Sequence, residues 1–480
     1  MRKFYALILI IASLLTPLAA EAGEYSLPQL KITYDELALN YETYIAGTLE
    51  LSDEDGNVTE LPAQFKTRGA TARTWTMKPS LNMKLRDADD NELDTDLLGL
   101  RTASSWILDA MAIDRINMRN RVAFDIWNEF SSLPYETEFD GRNGTVGKFV
   151  ETYINGEYKG IYCLSDKINR KLLDLKKPQI DDDGTPLIRG LLYKHGTTDI
   201  ENQDNVGFFN GYTVFVASER DAWELHEPEE LAGPYAWSPM MELYSDENFF
   251  NYEYVKEHFW LENLADYTIH LMALAIEDNW GNKNKYFSIQ DFTKPGDKSR
   301  FVVTPWDLDT SLGGSFEGSR YDGNYTDWPI ESIVSRAPLP FAICLKQPDF
   351  MALLKKRWLH GRAGALSVES VKRRLLDNCE LFEKSGAWQR TVDHWSAQRY
   401  PEQYVDDLGK EINLIIGWYE ARFAEMDTYF NVTQADIDAV GTICDEPDAP
   451  HAIYTIQGIR VSAMDTPGLY IVDGKKVIKR

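Results

Sequence analysis

Four cysteines are all that the 480 residues contain, at positions 163, 344, 379 and 444, and no two of them form a CxxC pair. A thiolate zinc site is therefore not expected. Cys163 lies in an apolar strand-like run and Cys344 in Phe341-Ala342-Ile343-Cys344-Leu345, so both read as buried thiols rather than as bridges or nucleophiles. Two phosphate loops are missing as well: neither GxxxxGK[ST] nor GxGxxG occurs, which argues against P-loop and dinucleotide-binding folds. Positive charge is scarce, with 50 Lys and Arg against 76 Asp and Glu, a formal charge of −26. Such a field repels nucleic acid and anionic lipid, and neither is expected as a partner. A nucleotide is also anionic, so a nucleotide site here needs local basic groups and a metal. Past the first 22 residues no long apolar run remains, so no integral membrane span is predicted. Internal repeats and low-complexity tracts are absent too.

What is present begins with an export leader. Arg2 and Lys3, the apolar run Leu7 to Leu15 and the small residues before Ala22 have the order of a secretory signal peptide, residues 1–22. A secreted or cell-surface protein is the expectation, with its oligomeric state open. Residues 24–173 read as a β-rich region. Leu81-Asn82-Met83-Lys84-Leu85 alternates with period two, and Asn155-Gly156 between two strand-like runs is a strong hairpin signal. One helix interrupts it, from Asn120 to Phe130, with Pro134 after its end. Residues 174–431 are loop-rich and acidic at first and then mainly helical; Leu264, Tyr267, Leu271 and Leu274 recur at three and four. Residues 432–450 form a linker, and residues 451–480 a small β module. The fold class expected is α+β.

The chemistry concentrates between residues 277 and 309. Glu277-Asp278-Asn279-Trp280-Gly281-Asn282-Lys283-Asn284-Lys285-Tyr286 opens the stretch, and Thr304-Pro305-Trp306-Asp307-Leu308-Asp309 closes it. Hard cations such as Mg²⁺ take carboxylate and amide oxygens. Phosphoryl transfer needs one acid at the nucleophile and another acid, with an amide, on the metal. Both kits occur here in that order. Each acid also has a plainer reading, as a helix-end or strand-end turn residue.

Four segments together resemble the CotH-type (spore coat protein H) kinase family: Lys66-Thr67-Arg68-Gly69 with Met77-Lys78-Pro79-Ser80, Arg119-Asn120-Arg121, Tyr153-Ile154-Asn155-Gly156-Glu157-Tyr158-Lys159-Gly160-Ile161-Tyr162, and the Asp278 to Asp309 stretch. The resemblance implies a two-lobed atypical protein-kinase-like fold, a β-rich N-lobe and a helical C-lobe. It implies transfer of the γ-phosphate of ATP, with Mg²⁺ or Mn²⁺, to Ser or Thr of exported proteins. Asp278 would orient or deprotonate the acceptor hydroxyl, and Asp307 would hold the metal. Asn284, or alternatively Asn282, would be a metal ligand or would position Asp278. Asp309 would be a second ligand or a cap for the following turn. Lys78 and Lys84 compete for the lysine on the phosphates; Lys78 falls in the family's lysine block, whereas Lys84 sits in the alternating strand. Arg68 beside Gly69 could approach a phosphate, and Glu129 would pair with the lysine. The tail resembles the C-terminal module of many exported Bacteroidetes-type proteins.

Two other functions compete. Export, acidity and abundant aromatics also suit a catalytically inactive surface-binding protein, a pseudokinase or adhesin on the same fold. Asp278 and Asp307 as a glycosidase pair is a third idea, disfavoured by the Asn-rich context, which suits a metal better.

Overall fold

The computed structural model describes residues 26–69, 78–138, 140–180, 183–196, 222–228, 234–245, 247–248, 251–276, 279, 284–294, 296–314, 329–335, 341–396, 405, 407–444, 453–455, 460–461, 468–472 and 475–479. The expected leader, Asp278 and Asn282 lie outside them. The chain divides into two compact units. The first reaches as far as Met118 and also takes Val146–Lys167 and Arg374–Ile412; the second takes Arg119–Thr145, Ile168–Arg373 and the chain from Asn413 onward. The architecture is mixed α+β, β-rich in its N-terminal region and helical towards the C-terminus.

The first unit is built on a closed barrel. Its strands are β1 (Gln29–Tyr34), β2 (Ile45–Ser52), β3 (Val58–Arg68), β4 (Ser80–Leu85), β5 (Ser105–Asp109), β6 (Gly147–Ile154) and β7 (Glu157–Asp166), in the spatial order β1-β2-β3-β4-β5-β7-β6. A parallel β1–β6 pair closes the ring. Closure removes free sheet edges, and it is a feature that the strand pattern alone does not announce. Alternation does the rest. In β4, Leu81, Met83 and Leu85 are buried while Ser80, Asn82 and Lys84 are half-buried. The inward set joins Leu30, Ile32, Leu49, Phe65, Trp106, Leu108, Val150 and Leu164 in one core. The β6–β7 hairpin forms at Asn155-Gly156, both at positive φ (50° and 81°), as the predicted two-residue turn requires.

The second unit carries a four-stranded sheet of β10 (Leu191–Gly196), β11 (Ala222–Glu227), β12 (Lys285–Ile289) and β13 (Phe301–Pro305), in the order β11-β10-β12-β13. The short strands β8 (Gln179–Ile180) and β9 (Pro186–Leu187) pair with each other. β12 and β13 fall where apolar runs predicted strands. β10 and β11 lie in the region read as loop, and β10 ends in the polar triad Lys194-His195-Gly196, which weakens its strand pattern. The helix Leu261–Leu274 packs on β13, with twelve of its residues buried from Asn263 to Leu274. The helix Pro348–Ala363 packs on that helix in turn. Towards the C-terminus, β14 (Ile453–Thr455), β15 (Arg460–Val461), β16 (Gly468–Val472) and β17 (Lys475–Lys479) form a sheet ordered β15-β14-β16-β17.

Cys163, Cys344 and Cys379 are buried. Burial pushes the Cys344 thiol up to about 12, so none of the reactivity of a low-pKa thiolate is on offer there. Among the described residues no helix is long and apolar enough to cross a membrane.

Candidate functional site

In the second unit, antiparallel pairing decides which residues meet. β12 and β13 pair in the register Lys285↔Pro305 to Ile289↔Phe301. The residue before β12, Asn284, and the residues after β13, Trp306 and Asp307, therefore share one end of the ladder. Trp306 N donates to Asn284 O at 3.0 Å. Asn284 and Asp307 both have left-handed backbones, φ 63° and 56°, a conformation that Asn and Asp adopt at lower cost than other side chains do. Asn284 is buried, whereas Asp307 and Asp309 are half-buried, and Asp309 opens the turn at 309–310.

A residue that sequence reasoning passed over secures this corner. Asn279 is 1% exposed, and its amide Nδ2 donates both to Asn284 O (2.8 Å) and to Trp306 O (2.7 Å). One side chain thus ties the backbone of Asn284 to the residue that precedes Asp307. Its Oδ1 is buried and has no hydrogen-bond partner among the described residues. Its place in the chain, directly after Asp278, gave no signal of this, since an exposed loop residue is the ordinary expectation there. Asn284 N is held as well, by His195 O at 3.1 Å. Burial, and then the Lys285 charge, keep the His195 ring well below its usual pKa.

The strand that delivers Asp307 is fixed along its outer edge. β13 is terminal in its sheet, so one row of its polar groups needs other partners. Asn263 donates from Nδ2 to Val303 O (3.1 Å) and accepts from Val303 N (2.7 Å). Asn143 adds a bond to Val303 O (3.2 Å) and accepts from the Thr304 hydroxyl (2.6 Å). Beyond the strand, Leu308 N donates to Asn120 Oδ1 at 3.0 Å. The Arg-Asn start of the Arg119–Phe130 helix therefore caps the turn that holds Asp307 and Asp309. Arg119 lies beside Gly314, where an added Cβ would sit 3.0 Å from its guanidinium Nε. Glu129 sits on the exposed face of the same helix.

In the first unit, Lys78 precedes β4 and is 3% exposed. Its ammonium donates to Ile161 O (2.5 Å) and Asn117 Oδ1 (3.2 Å) and lies 4.6 Å from the centre of the Tyr162 ring. Asn117 is held in turn, donating to Met111 O (3.1 Å) and Asp114 O (2.7 Å). Burial drives the Lys78 pKa down to about 7, although Asp109 and Asp114 oppose it. Lys84 is different in kind. It stands on the outward face of β4, 4.8 Å from the Tyr44 ring, and Lys66 is 4.9 Å from the same ring. Arg68 ends β3, paired with Ser80, two residues beyond Lys78, and Gly69 follows at φ 92°.

Among the described residues no group of three or more His, Cys, Asp or Glu could hold a metal ion. The oxygen donors at the Asn284–Asp307 corner still fit a hard divalent cation. Mg²⁺ retains water and is commonly held by one or two carboxylates and substrate phosphates rather than by a full protein cage.

No curated protein matches this chain. A family model described as CotH kinase protein matches residues 65–426, a span that takes in Lys78, the Arg-Asn helix start, the β6–β7 hairpin and the Asp307 corner. On that match the chain belongs to the CotH kinase family.

Proposed function

We propose that this protein is an exported protein kinase of two-lobed, kinase-like design that moves the γ-phosphate of ATP to Ser or Thr of secreted or surface proteins. The observation that carries the reading is the Asn279 clamp, in which a buried amide joins the backbone of Asn284 to that of Trp306, the residue before Asp307.

In this reading Asp307, with Asn284 and Asp309, holds Mg²⁺ or Mn²⁺, and the metal supplies charge neutralisation at the phosphates. Asp278 accepts the proton of the acceptor hydroxyl. Lys78 grips phosphate, and Arg68 adds positive charge from the end of β3. Burial makes the ammonium costly, and an arriving triphosphate adds negative charge to that of Asp109 and Asp114. Binding therefore draws a proton onto Lys78 at a pH above its value of about 7.

The test is transfer from labelled ATP to casein-like substrates with Mg²⁺ or Mn²⁺. Activity in the wild type, lost in Asp278→Ala and Asp307→Ala, supports the reading. ATP-Mg²⁺ raising the melting temperature with no transfer by any variant would replace it with a nucleotide-binding pseudokinase. Neither binding nor transfer would leave an adhesin.

A further inference from the structure

In the first unit, a helix from far along the chain reaches the strand that holds Lys78. β5 ends at Asp109, paired with Cys163, while β7 begins earlier, at Glu157. At Ile161 that side of β7 has outrun its strand neighbour. Two side chains take the place of the missing ladder. Lys78 donates to Ile161 O, and Ile161 N donates to Thr391 Oγ1 at 3.1 Å. The N–H and C=O of one strand residue face the same side, so lysine and threonine occupy one edge together. The threonine comes 230 residues after its partner.

The Ala387–Ser396 helix is anchored firmly enough for this to matter. Arg390 grips both oxygens of the buried Glu151 (2.9 and 2.8 Å), to which Tyr158 also donates (2.6 Å). Charge-assisted bidentate pairs of this kind fix direction as well as distance. Trp395 Nε1 donates to Lys159 O at 3.0 Å. Gly160 has φ 95°, and a Cβ there would come within 2.9 Å of Thr391, so glycine permits the close approach. The helix also shares a field with the lysine. Burial lowers the His394 pKa, Glu157 raises it, and Lys159 and Lys78 lower it further.

We propose that this helix is the positioning element for Lys78 and that Thr391 is the positioning residue. By holding the Ile161 N–H, Thr391 fixes the carbonyl that aims the lysine's ammonium. The inference deepens the nucleotide role assigned to Lys78 and rests on it. A long lysine chain costs rotamer entropy to order; an acceptor already in place lowers that cost before ATP arrives. Loss of the threonine hydroxyl should therefore weaken ATP capture rather than slow transfer.

The experiment compares wild type, Thr391→Val, Thr391→Ser and Arg390→Gln, all as the full chain. Trace acetylation of lysines without nucleotide, followed by mass spectrometry, reads the environment of Lys78. Thr391→Val should change the Lys78 rate several-fold against the other lysines, raise KM for ATP by about tenfold, the low end of losses from orienting residues, and leave kcat within about twofold. Thr391→Ser should restore both. Arg390→Gln loosens the helix without touching Ile161 and should move Lys78 in the same direction; it stands in if Thr391→Val does not fold. An unchanged Lys78 rate in a folded Thr391→Val, or in Arg390→Gln where that variant stands in, overturns the proposal. ATP-Mg²⁺ protection of Lys78 in the wild type is read separately. If protection is missing while Thr391→Val still alters the rate, the nucleotide role of Lys78 fails and the positioning relation survives.

Discussion

The barrel unit and the sheet unit prepare charge in opposite ways. Lys78 is taken out of water, offered a carbonyl, an amide and a ring face, and left with a depressed pKa. Asp307 and Asp309 stay half-buried, while the backbone beneath them is fixed by Asn279, Asn263 and Asn120. The difference follows from the ligands proposed for each. A phosphate brings enough negative charge to restore a buried ammonium. A hydrated Mg²⁺ gives up water reluctantly, so its ligands must be held in place without being dried.

Breaking the acid side should have the largest effect. Asp307→Ala is expected to cut transfer on the order of 10³-fold, the scale of losing one electrostatic contact to a transferring phosphoryl group, with initial rates from labelled ATP as the measurement. Asn279→Ala sharpens the comparison because it leaves every carboxylate present. It strips a partner from two backbone carbonyls; Asn284 O keeps Trp306 N, so the cost of about 1–3 kcal/mol for an unsatisfied buried group falls on Trp306 O. It should also weaken Mn²⁺ binding by about 10- to 100-fold, as loss of an orienting residue does; calorimetry and thermal melts read the two effects.

On the lysine side the signature is pH. Lys78 binds phosphate when protonated, and its pKa in the empty protein is about 7. ATP affinity should be highest below that pH and fall as pH rises above it, by at most about tenfold per unit, since one proton is taken up. Lys78→Met should weaken binding at pH 7 and flatten this dependence, as titration of ATP binding from pH 6 to 9 would show. The smallest effect belongs to Lys84→Gln. That side chain stands on the outer face of β4 against Tyr44, and KM for ATP should shift by less than about twofold. A Lys84 effect as large as that of Lys78 would erase the contrast between a buried and an outward lysine.

Much of the local architecture was legible in the chain. The period-two run 81–85, the Asn155-Gly156 turn, the helix from Asn120 and the strand pair leading to Trp306 each carry their own signal, because neighbours in sequence create it. β10 and β11 were not legible, since they lie in an acidic stretch of sequence that reads as loop and pair with partners far along the chain. Closure of the barrel was hidden for the same reason: the β1–β6 pairing joins Gln29 to Glu151.

The candidate site divides along the same line. Residue types pointed to the acid and amide stretch, and the family resemblance assigned roles to Lys78, Asn284, Asp307 and Asp309. Nothing in the sequence marked Asn279 as a clamp, Asn263 as a substitute strand neighbour or Thr391 as a partner for Ile161. These roles depend on distances and on the burial of backbone groups. A chain read in order reveals which chemistry it can offer; only folding decides which unsatisfied N–H or C=O each amide and hydroxyl must serve.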